Sequence, residues 1–313
     1  MVKSSRLQYT NTGIVALIIL SAAFGIMAVL ARYLGQGLGV FEQWYIRYAV
    51  SSLVALVVFW PKIELSKFLH LPLREWGVLW FRIISGQVIG IGLFTLASER
   101  TDAGIVSFMQ VMPIVPLLGL ILFHERFTRQ KAAITLLAFI GAAMVVLTNV
   151  YSLSHLNTGA LLSLVSAVFY SAMLVTRKWH SDLLNNHEIT VAFMILSCLC
   201  AYGISVLFDH RFMIPIGHWN AHFALVVLAA GCLSVPVNFL ISYSFEHVSA
   251  IIAGNILSLE EVFGALFGFI FYGQVLDMRE ITGGLVILVS VLLMNFAMRR
   301  EDRIAEEPMG LAE

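Results

Sequence analysis

Long runs of apolar residues, separated by short polar segments, make up most of this chain. Each run is near the ~20 residues that a helix needs to cross ~30 Å of hydrocarbon. The ten runs cover residues 13–34, 41–60, 76–96, 103–123, 130–147, 159–176, 188–208, 221–245, 250–272 and 280–298. They lack the alternation of barrel strands, and lipid offers no partner to a free backbone amide. The pattern therefore predicts an all-α membrane protein with ten transmembrane helices.

The start of the sixth run repeats the start of the first. Asn-Thr-Gly occupies positions 11–13 and again positions 157–159. At the same spacing, Met27 matches Met173, Val29 matches Val175, Arg32 matches Lys178 and Tyr33 matches Trp179. Five crossings is an odd number, so the second half must enter the membrane from the opposite side. We therefore expect two inverted five-helix repeats, residues 1–150 and 151–298, followed by a cytoplasmic tail at 299–313.

Composition and charge agree with a lipid environment and predict the orientation. The chain is 59% hydrophobic and 12% charged, too apolar to cover a water-facing surface. Lys and Arg accumulate in cytoplasmic loops. A cytoplasmic N-terminus puts most basic residues on that side: Lys3, Arg6, Lys62, Lys67, Arg74, Arg126, Arg129, Lys131, Arg177, Lys178, Arg299, Arg300 and Arg303. Only Arg32, Arg100, Arg211 and Arg279 fall outside. Both termini are thus expected in the cytoplasm, and the protein in the inner membrane of the cell.

Several classes of function are disfavoured by the polar residues themselves. A net charge of +0 offers no basic patch for nucleic acid. The three cysteines lie inside apolar runs and the histidines at helix ends or in loops, without metal or disulfide spacing, so we expect no metal and no cofactor. An enzyme needs convergent acids, bases or metal ligands. We therefore expect no catalytic residues, and a membrane-embedded enzyme is the less favoured alternative.

Residues 103–146 have an arrangement with a known parallel. A small-residue helix start is followed by Pro113, an apolar run, Glu125 and Arg126 in a polar turn, and a helix that contains Gly141. This arrangement resembles the drug/metabolite transporter superfamily, specifically its ten-helix branch built from two EamA-type domains. The resemblance extends over nearly the whole chain.

The resemblance implies a secondary transporter of small organic metabolites, an exporter of amino acids or related compounds, working by alternating access. An organellar-type sugar-phosphate or nucleotide-sugar antiporter would share the fold and is the alternative. Such an antiporter should show basic residues in its cavity for phosphate.

Three further positions match that family or depart from it. Arg47 stands in the second helix, where the family usually has an arginine. Residues 258–260 read Ser-Leu-Glu, but Glu261 replaces the proline that commonly follows Leu-Glu. Gly273 and Gln274 stand where the second domain usually has Gly-Glu.

Glu260 and Glu261 are the strongest candidates for function. A charged group inside a spanning helix costs at least ~2.5 to 3.5 kcal/mol, so it requires a partner or a wet cavity. Glu260 lies ~15 Å into the ninth helix, close to the midplane. Successive residues are ~100° apart, so we expect that both carboxylates cannot point squarely at one cavity. The stripe of Asn255, Ser258 and Glu261 favours Glu261, whereas the family match favours Glu260.

Either carboxylate could contact substrate or carry a coupling proton, and passive facilitation is equally compatible with the sequence. The alternative is a protonated or salt-bridged carboxylate that serves only helix packing.

Polar residues on other helices predict the remaining walls of the cavity. Helix three contributes Gln87, helix four Gln110, helix six Tyr170, helix eight Asn238 and helix nine Asn255. Serines at spacings of three and four accompany several of them on the same helical face. Such residues either bind substrate or hold helices together through hydrogen bonds.

Two arginines and a tryptophan are candidate charge partners or gates. Arg47, ~9 Å below the outer surface, could neutralise a carboxylate in the ninth helix, extend to the interface or pair with Glu42. Arg82, ~9 Å from the cytoplasmic end of helix three, has the same ambiguity. Trp44 belongs either to an interfacial aromatic belt or to an extracellular gate. Pro113 predicts a bend in helix four, either static or a hinge.

Overall fold

The computed structural model describes residues 11–101, 103–147, 157–208 and 219–306. All the regular secondary structure in these ranges is helical. Ten of these helices are long and apolar enough to cross a membrane, which confirms the all-α prediction and the number of crossings. Residues 1–10, 102, 148–156, 209–218 and 307–313 lie outside the described residues, and with them the loops 149–155 and 209–218 that the predicted orientation places on the outer side.

The ten helices follow the predicted runs closely, but two of them are interrupted. They are α1 (Asn11–Leu34), α2 (Val40–Phe59), α3 (Leu73–Ser98), α4 (Ala103–Gln110 and Ile114–Phe123), α5 (Arg129–Val146), α6 (Thr158–Val175), α7 (Asn186–Phe208), α8 (Ala221–His247), α9 (Ala250–Leu257 and Leu259–Tyr272) and α10 (Met278–Glu306). The last helix continues past the predicted boundary at 298. A short unpredicted helix, Leu65–Leu69, joins α2 to α3.

Polar residues define where several helices begin. The first amides of a helix have no partner within it, and a side-chain oxygen at the preceding position can accept from one of them. Thr128, Asn157, Asn220 and Ser249 each accept a hydrogen bond from the backbone N–H three positions later. Each of these residues therefore ends a loop and starts a helix at a defined position.

The helices pack in matched pairs. Helix α1 lies against α8 and α9, while α6 lies against α3 and α4; α2 packs on α7, and α5 on α10. The α5–α10 contact needs small residues. A Cβ atom built on Gly141 would come within 2.8 Å of the Gly283 carbonyl oxygen, and one on Gly283 within 2.7 Å of the Gly141 oxygen. The two backbones can approach this closely only because neither position carries a side chain.

The turn after α4 is held by Glu125. His124 ends α4 in the left-handed conformation, with φ of 52°. The Glu125 carboxylate accepts hydrogen bonds from the backbone N–H groups of Ala250 at 2.9 Å and Ile251 at 3.1 Å, in the first turn of α9. Its Oε1 also lies 2.5 Å from the ammonium Nζ of Lys178, just after α6. One buried carboxylate thus joins α4, α6 and α9 and satisfies two helix-start amides.

A second turn, after α9, has the same backbone but no charge. Gly273 ends α9 with φ of 63°. The Gln274 N–H donates to the Gly268 carbonyl, as the Glu125 N–H donates to the Gly119 carbonyl. Gln274 is neutral, and its side-chain oxygen lies against Gly268. The two turns therefore share their geometry, but only the α4 turn carries an ion pair.

We expect loss of the Glu125–Lys178 pair to destabilise the fold, because the remaining partner would be a buried charge without a counter-ion. Lys178→Met should lower the free energy of unfolding by on the order of 3 kcal/mol. Glu125→Leu should cost more, since it also strips the Ala250 and Ile251 amides of their acceptor. Thermal unfolding of the purified protein in detergent measures both.

The matched control is Glu64→Gln, because Glu64 pairs with Lys67 at the surface with its side chain 67% exposed. An exposed pair contributes ~1 kcal/mol or less. If Lys178→Met and Glu125→Leu unfold at the wild-type temperature, as the control should, Glu125 does not stabilise the packing of the three helices.

Candidate functional site

A cavity of about 130 Å³ lies where the interrupted helices α4 and α9 meet. Its walls come from α1, α4, α5, α6 and α9. Helices α3 and α8, which the sequence analysis included in the wall, do not line it, and α1 and α5 take their place. This correction arises because a polar stripe shows which face of a helix is polar but not which neighbour covers that face.

The interruption in α4 has a local cause in the sequence, and the one in α9 is a single residue long. Pro113 precedes the second segment of α4, and with no N–H it cannot continue the hydrogen-bond ladder. Around it the chain forms a tight turn, in which the Ile114 N–H donates to the Met112 carbonyl at 2.7 Å. In α9 the break is at Ser258, whose hydroxyl donates to the Asn255 carbonyl at 2.6 Å. Irregular backbone at membrane depth is tolerated where it lines a cavity, and both breaks do so.

Glu260 and Glu261 form the first turn of the second α9 segment, and both line the cavity. Two residues can border a cavity without both pointing squarely into it, so the expectation from helical spacing that both carboxylates cannot do so stays a prediction. The cavity lies beside the start of the segment, so two adjacent first-turn residues can both border it. Acidic residues at a helix start are also favoured by the helix dipole. Among the described residues, neither carboxylate has a hydrogen-bond or salt-bridge partner.

Two other polar side chains in the wall are buried without partners. Asn255 is 1% exposed, and neither its amide nitrogen nor its amide oxygen has a hydrogen-bond partner within the described chain. Thr135, from α5, is 5% exposed, and its hydroxyl likewise lacks a partner. Buried polar groups are nearly always hydrogen-bonded, so these two face a space that water or a solute must fill. Thr135 was not among the residues predicted from the sequence, although an isolated threonine inside an apolar run is a usable signal.

Gln110 lines the same cavity and also holds α4 to α6. Its Nε2 donates to the Ser163 carbonyl at 3.1 Å and to the Ser166 hydroxyl at 3.1 Å. The nearby Tyr170 ring from α6 lines the cavity as well. Phe24 and Phe139 give apolar surface on other sides. The site is thus a pocket with apolar and aromatic walls and a small number of convergent polar groups, which is typical of small-molecule sites.

Gln87 and Asn238 lie apart from this cavity, near the Tyr48 hydroxyl. The Asn238 amide donates back to the Ser234 carbonyl at 2.9 Å, one turn earlier in α8. Gln87 lies in a π-helical stretch of α3, Ile83–Gly90, with its Nε2 3.9 Å from Met173 Sδ. The structure therefore does not bring these two residues to the carboxylates.

Arg47 and Trp44 also lie away from the cavity wall. The Arg47 Nη1 is 3.5 Å from Met27 Sδ, and its guanidinium lies over the Tyr48 ring at 5.8 Å. Within the described ranges no salt bridge joins Arg47 to Glu260 or Glu261, so of the alternatives that the sequence left open for Arg47, a direct charge pair with these carboxylates is not formed. Trp44 is buried in the main core beside Phe41 rather than exposed at an interface.

Arg82 belongs to a separate buried cluster at one end of α3. Its Nε donates to the Met173 carbonyl at 3.2 Å, and its guanidinium faces the Phe193 ring. Burial and the nearby Arg82 charge lower the pKa of His180, just beyond α6, to about 4. The imidazole is therefore neutral at pH 7, and its Nδ1 lies 2.8 Å from Glu75 Oε2. Arg82 is fully covered, 2% exposed, and does not extend to an interface.

The chain is similar in sequence and fold to known proteins. The model of the EamA-like transporter family matches residues 11–147 and 157–296. The pseudopaline exporter CntI of Pseudomonas aeruginosa is 25% identical, over 92% of this chain and 98% of its own. An S-adenosylmethionine uptake transporter of Rickettsia bellii is 23% identical, over 87% of this chain and 89% of its own. A solved crystal structure at 14% identity covers 92% of this chain and 99% of its own, with a TM-score of 0.77, and supports the same fold.

Proposed function

The chain belongs to the EamA-like transporter family, and from that premise we propose that it is a secondary transporter that exports amino acids or related compounds by alternating access. As a member of the family it is a multi-pass membrane protein that carries small molecules. The observation that carries the finer proposal is the cavity at the two helix breaks, with its unpartnered polar groups. Transporters commonly bind their substrates where such discontinuous helices meet.

The proposed architecture is two inverted repeats, residues 1–150 and 151–298, with a tail at 299–313 in the cytoplasm. The paired packing supports it: the α1 contacts with α8 and α9 correspond to the α6 contacts with α3 and α4. The interruptions in α4 and α9 are likewise five helices apart. Movement of one half against the other around the cavity would then open it to each side of the membrane in turn.

The alternatives lack support from the cavity. A sugar-phosphate or nucleotide-sugar antiporter needs cations to hold phosphate. Of the described residues that line the cavity, none is Lys, Arg or His. An enzyme would need reactive groups in a convergent arrangement with a base or metal, and no group of three or more metal-binding side chains occurs among the described residues. The named relatives include an exporter and an uptake transporter, which supports transport in either direction; the choice of export follows the family resemblance.

Blocking the cavity should abolish transport without unfolding the protein. Ser171 lines the cavity on α6, and Ser171→Phe should reduce exchange of an amino-acid mixture in proteoliposomes by on the order of tenfold or more, because the added ring occupies substrate space. The matched control is Val168→Phe on the exposed face of the same helix, which should retain exchange. Equal exchange by both variants, each monodisperse in detergent, would exclude this cavity as the route.

Proton coupling through Glu260 or Glu261 is part of the proposal. Glutamine keeps the shape of glutamate but cannot titrate. Glu260→Gln, Glu261→Gln or the double variant should therefore lose uptake driven by a pH gradient while keeping equilibrium exchange of a neutral amino acid in proteoliposomes. Tyr170 is the other titratable group in the wall, and Tyr170→Phe is the control. Wild-type pH dependence in all three glutamate variants would rule out coupling through these carboxylates and leave passive facilitation.

The predicted orientation of the protein in the membrane can be tested separately. Both termini and the loops that contain Lys62, Arg129 and Lys178 should face the cytoplasm, because Lys and Arg are retained there. Single cysteines introduced at 64 or 126 in a background without Cys198, Cys200 and Cys232 should resist a membrane-impermeant maleimide in intact cells and react after lysis. Labelling of either position in intact cells would reverse the orientation.

A further inference from the structure

The acidic side chains that border the cavity indicate the charge of the substrate. Glu260 and Glu261 both border the cavity, and no basic side chain does so among the described residues. An ionised carboxylate at membrane depth is costly unless a counter-charge accompanies it. No Lys, Arg or His is among the described residues that line this site, so a positively charged solute is a counter-charge that would stabilise ionised carboxylates there.

Partnerless hydrogen-bonding groups in the same wall indicate that a ligand completes the site. The Asn255 side chain is 1% exposed, lines the cavity and leaves both its donor and its acceptor unused. The Thr135 hydroxyl is buried on another side of the same space, also without a partner. A buried polar group without a partner lacks the hydrogen bond that water would otherwise give it, so a bound solute that satisfies both groups removes this cost.

The remaining wall is suited to the body of an organic molecule. Phe24, Phe139 and Tyr170 contribute ring surfaces, and the cavity of about 130 Å³ is larger than a bare metal ion or a proton needs. Aromatic faces attract cations as well as apolar groups. These properties together favour a positively charged organic solute over an inorganic ion.

We propose that this cavity selects organic cations that carry an ammonium group, with Glu260 and Glu261 as counter-charges and Asn255 and Thr135 as hydrogen-bond partners. The inference rests on the proposed transport function and narrows its substrate class: a net positive solute binds, its neutral analogue binds less tightly and its anionic analogue is rejected. Glu260 and Glu261 are then the specificity-determining residues, because exchange of their charge removes the preference while leaving the apolar walls intact.

A series of three amino acids of equal chain length tests the charge preference directly. L-lysine, L-norleucine and L-2-aminoadipate end in an ammonium, a methyl and a carboxylate group, and cadaverine adds a diamine. Apparent affinities follow from the ligand-dependent shift in unfolding temperature of the full-chain protein in detergent. We expect lysine and cadaverine to bind roughly thirtyfold or more tightly than norleucine, and aminoadipate to bind most weakly.

The variants identify which residues set this order. Glu260→Gln, Glu261→Gln and the double variant should bring lysine toward the affinity of norleucine, while Glu99→Gln, an exposed carboxylate at the end of α3, should leave the order unchanged. Thr135→Val keeps the side-chain shape and should weaken each bound probe about two- to tenfold without changing the order. The wild-type series needs no variant, so a misfolded double variant does not weaken the test.

Three results would overturn the proposal: equal affinities across the series, tightest binding of aminoadipate, or no shift with either cation. Equilibrium exchange in proteoliposomes separates this failure from failure of the proposed function. Bound cations without exchange would support the site and exclude transport of these solutes. Exchange without any charge preference would support transport and exclude selection by Glu260 and Glu261.

Discussion

The requirement that every backbone polar group find a partner inside lipid governs this structure. Ten helices meet it along almost their whole length, because each satisfies its amides internally. Where α4 and α9 break, local turns and a cavity replace the regular ladder: the Glu261 N–H donates to the Ser258 carbonyl, and the Leu117 N–H to that of Pro113. The two breaks therefore lie in a region where polar side chains and space occur together.

Glu125 shows how a loop residue can organise this region from a distance. Its carboxylate accepts from the first amides of α9, the helix whose second segment carries Glu260 and Glu261. The same carboxylate meets Lys178 after α6, the helix that contributes Tyr170 to the wall. The Glu125 carboxylate thus links α4, α6 and α9, three of the helices that line the cavity. At the equivalent turn after α9 the neutral Gln274 provides no such tie, so the electrostatic contribution to packing is concentrated in one of the two turns.

The sequence predicted the helices well and the cavity only in part, for a physical reason. Spanning helices are specified by local composition, so their number and approximate ends follow from apolar runs, and Pro113 signals the break in α4. The neighbours of each helical face depend on tertiary packing. In the sequence, Gln87 and Asn238 have the same pattern as Gln110 and Asn255, but they lie near Tyr48 and not at the cavity. Thr135 lines the cavity although the sequence pattern did not single it out. Arg47 likewise lies beside Met27 and Tyr48 instead of a carboxylate.

Packing also decides the electrostatics of the site, which the overall charge does not reveal. The chain carries equal numbers of acidic and basic residues, a net charge of +0. Arg82 is covered by the Met173 carbonyl and the Phe193 ring, and Arg47 turns toward α1, so neither contributes to the cavity wall. Glu260 and Glu261 are left beside the empty space. This separation leaves two carboxyl groups, and no basic side chain among the described residues, beside the cavity of a protein with no net charge. The proposed selectivity of the cavity thus depends on which charges the helix packing hides as much as on which it exposes.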